Sequence, residues 1–411
     1  MERRNLALLC AGVLCFWLFA LAVGTAQGAG LRVAIGGTGP AVQADAPAVL
    51  TAAPANSGLQ LECRAAILME PETGRVLYEK APDERMPIAS ITKLMTLLLT
   101  FEAIRGGKLT LDTPVPVSEH AYHMGGSQIW LEPGEQLTLD EMLKAICVSS
   151  ANDAAVAVAE YIGGSEPVFV EQMNRKAAEL GMSGTHFCNA CGLDEAGHLS
   201  TARDVAVMSR EMLNRHPQIT RYTTIWMDSL RGGATQLLNT NKLLKRYSGI
   251  TGLKTGTTGG AGVCISASAT REGLSLIAVV LGAASSAERF EAAAALLDYG
   301  FSNFEAGPAP LPADAPQTLP VRRGEAETVP LIYCLPETLL LKKGERAGLT
   351  VRLELPERAE APLAQGQPLG FAVVMSGEEE LGRWPVQAGE AVPQLDFGRS
   401  FRRLARAALK L

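Results

Sequence analysis

Three short groups of residues stand in one order along the 411-residue chain: Ser90-Ile91-Thr92-Lys93, Ser150-Ala151-Asn152 and Lys254-Thr255-Gly256. Together they hold the residue types that acyl transfer through a serine requires: a nucleophile, an amine base, a second hydroxyl to move a proton, an amide, and a cation for a carboxylate. A serine hydroxyl is a poor nucleophile until a neighbouring base takes its proton. An ammonium becomes such a base only when desolvation or a second cation lowers its pKa. The run from Ser90 to Ile104 is helix-favouring after the break at Pro87, so Ser90 falls at the N-cap or first turn and lies i,i+3 from Lys93. The residues after Lys93, Leu94-Met95-Thr96-Leu97-Leu98-Leu99, are too apolar for an exposed face, which takes the amine out of water. Lys254 is the candidate second cation.

The elements that must position these groups can be read from local signals. Thr138 with Glu141 makes a capping box that opens an amphipathic helix through Cys147, and Asp153 to Ile162 is Ala/Val-rich with helical character. Ser150 and Asn152 then fall on the turn between two helices, where a hydroxyl and an amide can point together into a cleft. Lys254-Thr255-Gly256 leads into alternating Val263, Ile265 and Ala267. After the turn at Arg271-Glu272-Gly273 comes the apolar run Leu276 to Leu281, so the segment predicts a β-hairpin with the motif on its first strand. Glycine at 256 permits close approach to the backbone, and strand N–H groups can hold an oxyanion. Each group alone has an ordinary reading: a capped helix with a solvated lysine, a Ser/Asn turn, a chance Lys-Thr-Gly. Their weight lies in their order and company.

A hairpin turning at Pro71-Glu72-Thr73-Gly74, a long helical run, the closing hairpin and a helix from about Ser286 to Tyr299 predict an α+β domain, an antiparallel sheet flanked by helices with a helical subdomain. From about 308 to 392, prolines and glycines punctuate short runs such as Thr328–Tyr333, Leu349–Leu355 and Phe371–Met375, which predict a small all-β C-terminal domain.

Around these motifs the chain resembles the serine D-alanyl-D-alanine carboxypeptidases, the low-molecular-weight, penicillin-binding protein 5-like enzymes. The resemblance runs from about Leu61 to the end. It rests on Pro87-Ile88-Ala89-Ser90-Ile91-Thr92-Lys93-Leu94-Met95-Thr96, on Gly125-Gly126-Ser127-Gln128-Ile129-Trp130-Leu131-Glu132-Pro133-Gly134-Glu135, and on Ser150-Ala151-Asn152-Asp153-Ala154. Phe187-Cys188-Asn189, Ser200-Thr201-Ala202-Arg203-Asp204 and Asn239-Thr240-Asn241 extend it. The resemblance implies the β-lactamase/DD-peptidase-like fold and removal of the terminal D-alanine from peptidoglycan stem pentapeptides. It implies catalytic Ser90, Lys93 and Ser150, with Ser90 attacking, neutral Lys93 as base and Ser150 passing a proton to the leaving amine. Substrate binding falls to Asn152, Lys254, Thr255, Gly256 and Thr257, and the oxyanion hole to the N–H groups of Ser90 and Thr257. β-Lactam antibiotics would acylate Ser90, and no metal or organic cofactor is implied. The arginine that often assists carboxylate recognition in such sites is not placed; Arg271 stands as a guess outside the set.

Two rival readings have sequence markers. A class A β-lactamase needs a deacylating glutamate, for which Glu171 with Asn174 is the nearby candidate in an apparently helical stretch. A wall-binding protein with a decayed site would have lost catalytic residue types, and here all are intact. His186, Cys188, Cys191 and His198 together suggest a zinc knot, but the histidine spacings are irregular and free thiols or a loop disulfide suffice. Cys147 and Cys264 sit in apolar runs as buried thiols. His120, His123 and His216 read as surface or turn residues.

The ends predict an exported envelope protein. Arg3 and Arg4, an apolar run from Leu6 to Val23 and small residues to Ala26 mark a signal peptide over 1–26, followed by an Ala/Pro/Gly spacer over 27–58. The catalytic domain is expected over 59–305 and the β-rich domain over 308–392, as a stalk or a partner-binding module. Over 396–411, Phe397, Phe401, Leu404, Ala408 and Leu411 share one helical face and Arg399, Arg402, Arg403, Arg406 and Lys410 the other. Five cations on a chain of net charge −6 suit anionic lipid, so this helix is read as a peripheral anchor at the outer face of the cytoplasmic membrane, with no nucleic-acid partner expected. Removal of residues 397–411 from the mature protein is expected to abolish binding to anionic vesicles in a flotation assay; equal binding by both forms would exclude the anchor.

Overall fold

The computed structural model describes residues 58–396 together with 398 and 401, all within a unit that spans Pro47–Leu411. The expected signal peptide, spacer and basic terminal helix lie outside the described residues, apart from residues 58, 396, 398 and 401.

Five strands form the central antiparallel sheet: β1 (Ala65–Met69), β2 (Val76–Lys80), β3 (Ile250–Thr258), β4 (Gly262–Arg271) and β5 (Leu274–Ala283), in the order β2-β1-β5-β4-β3. The hairpin at Pro71–Gly74 is therefore stitched to the distant C-terminal strands, with Ile67 opposite Val279 on adjacent strands. Side chains alternate across a strand. Ile67, Met69, Ile277 and Val279 face the helical layer, while Leu68, Leu276, Ala278 and Val280 face the helix that follows β5. Both faces are buried, which is why Ala65–Met69 and Leu276–Leu281 read as unbroken apolar runs rather than as alternation.

The longer helices are α1 (Lys93–Arg105), α2 (Leu139–Lys144), α3 (Asn152–Gly163), α4 (Glu166–Glu179), α5 (Ala202–Arg215) and α6 (Ser286–Asn303). Helix α1 is buried at every position from Lys93 to Phe101, which accounts for the apolar run after Lys93. The capping box of Thr138 and Glu141 opens α2 as expected. Its helix does not continue as α through Cys147: Ala145–Ser149 form a wider π turn that ends at Ser150.

One expectation needs correction. Lys254-Thr255-Gly256 and Val263–Ala267 do not share the first strand of a single hairpin. The chain turns at Gly259-Gly260, so the motif occupies the edge strand β3, the alternation belongs to β4, and the three strands make a meander.

Beyond α6, Phe304–Gly307 pairs antiparallel with Leu339–Lys342 and ties the last part of the described chain to the first. Strands over Thr328–Tyr333, Leu349–Glu354 and Pro368–Ser376 lie where the short apolar runs predicted them, within a six-stranded sheet that has its own buried core, including Val329, Ala372 and Val386. In α6, Leu296 is wholly buried against the central sheet. Leu296→Ala is expected to lower the unfolding free energy by about 2–5 kcal/mol through lost apolar burial and a residual cavity, read as a reduced midpoint in urea titration.

Candidate active site

Ser90 lies in a short 3₁₀ turn, Ala89–Thr92, that runs directly into α1. Ala89 is held at φ 49°, a left-handed conformation that L-residues adopt at a cost of about 1–2 kcal/mol. That strain sits one residue before the hydroxyl. Lys93 is fully buried, and its Nζ lies 2.9 Å from Ser90 Oγ, 2.6 Å from Asn152 Oδ1 and 2.7 Å from the carbonyl oxygen of Cys191. Burial pulls its pKa down to about 8, with the neighbouring Cys191 and Asp153 acting in the opposite direction.

The π turn after α2 delivers Ser150 at φ 62°, again left-handed. π turns insert an extra residue into a helix and recur at functional sites. Asn152 opens α3; its Oδ1 accepts from Lys93 and its Nδ2 donates to the carbonyl oxygen of Gly125 at 2.6 Å. Each end of this amide is thus already engaged, leaving the second lone pair on Oδ1 and the second hydrogen on Nδ2 for a substrate. Buried Asp153 accepts from the backbone N–H groups of Ile129 and Leu131, and so fixes the segment 125–131 against the Ser-Ala-Asn turn. Arg231 braces the same segment: it donates to both carboxylate oxygens of Glu135, to the carbonyls of Ile129 and Trp130 and to Thr235 Oγ1. No local signal marks Arg231, because every partner but Thr235 lies about a hundred residues away.

On β3, Lys254 is buried and its Nζ donates to Ser150 Oγ at 2.8 Å. Burial first, then the charges of Lys93 and Arg289, hold its pKa well below the ordinary lysine value. Thr255 Oγ1 lies 2.6 Å from Thr240 Oγ1. A Cβ on Gly256 would stand 2.8 Å from the carbonyl oxygen of Ile88 and 3.0 Å from the N of Ser90, so the edge strand presses directly on the nucleophile turn. Thr257 is exposed beside it. All eight residues named from the sequence are therefore brought together around one turn and one strand edge.

The arginine of the site is Arg289, not Arg271. Arg271 stacks on Tyr247 and Phe301 and bonds the carbonyl of Ser248, at the end of β4 remote from Cys264. Arg289 lies in the first turns of α6, buried, with Nη1 3.2 Å from the carbonyl oxygen of Gly256 and 3.4 Å from Thr257 Oγ1. Burial lowers its pKa to about 10, so it stays cationic at neutral pH. Lys93, Lys254 and Arg289 form no ion pair among the described residues. Position 289 follows the capping box of Ser285 and Glu288, which the sequence displays, but its proximity to β3 depends on how α6 crosses the sheet.

Other expectations resolve as follows. Glu171 points to solvent and faces Arg175, and Asn174 is tied to both backbone polar groups of Phe187, so neither stands at the site. His216 is not a surface residue: it is buried after the end of α5 and its ring stacks on Phe101, because the chain folds back under α1 there. His120 bonds Glu166 at 2.6 Å. Cys147 and Cys264 are buried thiols, and Cys188 and Cys191 are free; both nitrogens of His198 are taken by Cys188 N and Thr92 Oγ1. Among the described residues no group of three or more His, Cys, Asp or Glu side chains is arranged to hold a metal ion.

The family model for D-alanyl-D-alanine carboxypeptidase matches residues 49–285, and that for the C-terminal domain of penicillin-binding protein 5 matches residues 310–394. D-alanyl-D-alanine carboxypeptidase DacF of Bacillus subtilis is 42% identical over 345 residues, covering 83% of this chain and 88% of the relative. The crystal structure of penicillin binding protein 5 from Haemophilus influenzae superposes with a TM-score of 0.73 at 29% identity, covering 82% of this chain and 99% of that one. Penicillin-binding protein D2 of Listeria monocytogenes, solved in its cefotaxime-bound form, gives a TM-score of 0.55 at 34% identity over 59% of this chain and 98% of that one. With a serine, two buried lysines and a Lys-Thr-Gly edge strand meeting at one point, and with matches over both its parts, the chain belongs to the D-alanyl-D-alanine carboxypeptidase family of penicillin-binding serine peptidases.

Proposed function

We propose that Ser90 is the nucleophile of a D-alanyl-D-alanine carboxypeptidase that removes the terminal D-alanine from peptidoglycan stem peptides and is acylated by penicillin. The observation that carries the assignment is the set of partners around Lys93. A neutral amine has two N–H groups and one lone pair. Asn152 Oδ1 and the carbonyl oxygen of Cys191 can only accept, so they take the two hydrogens and leave the lone pair facing Ser90 Oγ, the one partner able to donate.

Lys93 then takes the Ser90 proton as Oγ attacks the carbonyl of the penultimate D-alanine. The N–H groups of Ser90 and Thr257 receive the oxyanion. As the C–N bond breaks, Ser150 donates its hydrogen to the leaving amine. Its oxygen accepts from Lys254 and can be reprotonated there. The substrate's terminal carboxylate meets Lys254, Thr255 and Thr257 on the strand edge beside Gly256, with Arg289 behind it supplying further positive charge. Asn152 offers its remaining hydrogen-bonding capacity to the substrate backbone. Water hydrolyses the ester, whereas a β-lactam leaves a long-lived acyl group. Residues 59–305 are assigned as the catalytic domain and 308–392 as a stalk. Residues 1–26 direct export and 396–411 anchor the enzyme at the outer face of the cytoplasmic membrane, a reading supported by charge and apolar patterning.

A peptide ending in D-Ala-D-Ala is expected to release D-alanine with the wild-type mature protein and not with Ser90→Ala; no release from either would overturn the assignment. Because the neutral form of Lys93 is the active one, the second-order rate constant for acylation by benzylpenicillin should rise with pH, with a midpoint near 8, and level off above it. A profile flat from pH 6 to 9 would remove Lys93 as the base.

A further inference from the structure

His198 has no part in the chemistry above, yet it joins two of the three segments that hold Lys93. The ring is buried and packs edge-on against Phe187. Its Nδ1 lies 3.1 Å from the backbone N of Cys188, and its Nε2 lies 2.8 Å from Thr92 Oγ1. The backbone N–H can only donate, so Nδ1 carries the lone pair. Burial keeps the ring neutral, with a pKa pushed down to about 4, where Glu195 and Asp194 raise it and His186 lowers it. The single proton therefore sits on Nε2 and donates to Thr92.

Each end of this bridge is close to the amine. Thr92 immediately precedes Lys93 and is part of the Ser90 turn. Cys188 opens the loop whose Cys191 carbonyl accepts from Lys93 Nζ. The remainder of that loop is fastened elsewhere: Ala190 is bonded by Thr96 Oγ1 and Glu166 Oε1, and Gly192 N donates to Asn189 Oδ1. Gly192 itself packs so closely that a Cβ would fall 2.0 Å from the carbonyl oxygen of Ala89. The loop and the nucleophile turn thus meet without room to spare, and the side-chain link from the loop's start back to that turn is His198.

We propose that His198 is a positioning residue for acylation: by tying Thr92 to Cys188 it holds the Cys191 carbonyl against Lys93 and so keeps the amine lone pair aimed at Ser90. The proposal rests on the assignment of Ser90 as nucleophile and Lys93 as base. If the bridge is broken, the carbonyl moves away, the two acceptors no longer dictate the orientation of the amine, and the proton-transfer geometry is lost while the substrate-binding strand is untouched. Misplacement of a reacting group by about 1 Å can cost on the order of a hundredfold in rate.

The experiment is stopped-flow acylation of the full mature protein by benzylpenicillin from pH 6 to 10, with the thermal midpoint of each variant recorded alongside. His198→Phe keeps a ring and removes both hydrogen bonds; Thr92→Val removes the hydroxyl with little change of shape. Each is expected to lower the limiting acylation rate about tenfold or more, with the dissociation constant of the non-covalent complex within about twofold of wild type and a displaced pH midpoint. Losses from two residues acting through one bond should not multiply in the double variant. His198→Gln, whose amide can still donate toward Thr92, is expected to recover most of the rate. A folded His198→Phe protein with the wild-type rate and midpoint overturns the proposal, as do losses that multiply in the double variant; if His198→Phe does not fold, Thr92→Val at the wild-type rate overturns it. A wild-type protein that benzylpenicillin does not acylate at Ser90 would instead remove the underlying assignment, and the proposal with it.

Discussion

The arrangement depends on one buried amine. Taking a lysine side chain fully out of water disfavours its charged form, and the protein keeps the group there by giving Nζ three oxygen partners drawn from three segments of the chain. Two of these partners can only accept. Burial lowers the amine's pKa to about 8, and in its neutral form the two acceptors decide which way its lone pair points. Either condition alone would leave an ordinary lysine.

Much of the fold serves to bring those oxygens within about 3 Å of one nitrogen. Helix α1 supplies Lys93 at its start, directly after the 3₁₀ turn that carries Ser90, and it can be buried because its apolar side chains are enclosed by α3, α4, α5 and the sheet. Helix α3 begins at Asn152 only because the π turn before it ends in a left-handed residue, which turns Ser150 and Asn152 toward the same space. Two of the left-handed residues, Ala89 and Ser150, cost conformational energy beside or at a site hydroxyl, and the surrounding packing holds both in place.

Charge completes the site. Arg289 and the protonated form of Lys254 bring buried positive charge to one edge of the sheet, without an ion-pair partner among the described residues. Such an imbalance favours an anion at this edge, as the proposed binding of a terminal carboxylate requires. Burial, helped by the neighbouring charges, depresses the Lys254 pKa, and its Nζ donates to Ser150 Oγ.

Residue types, local spacing and the resemblance they carry were enough to single out Ser90, Lys93, Ser150 and the Lys-Thr-Gly strand as candidates, since Ser90 and Lys93 are three residues apart and the capping box at Thr138 announces the helix that leads to Ser150. Alternation and apolar runs likewise located the strands of the central sheet and three of the six strands of the C-terminal sheet, although the turn at Gly259-Gly260 split one expected strand in two. The sequence could not place Arg289, Arg231, the Cys191 carbonyl or His198. Arg289 and Arg231 reach strands and loops far away in the chain, a backbone carbonyl has no sequence signature at all, and a buried histidine looks the same in a sequence as an exposed one. His216 shows the same limit: its residue type suggested a surface, and only the packing of Phe101 over it made it part of the core. Short-range chemistry, carried by residues within a turn or a strand of one another, was determined by the sequence alone. The protonation states and the direction of the lone pair were decided by tertiary structure, because desolvation and hydrogen-bond geometry exist only once segments a hundred residues apart have been packed together.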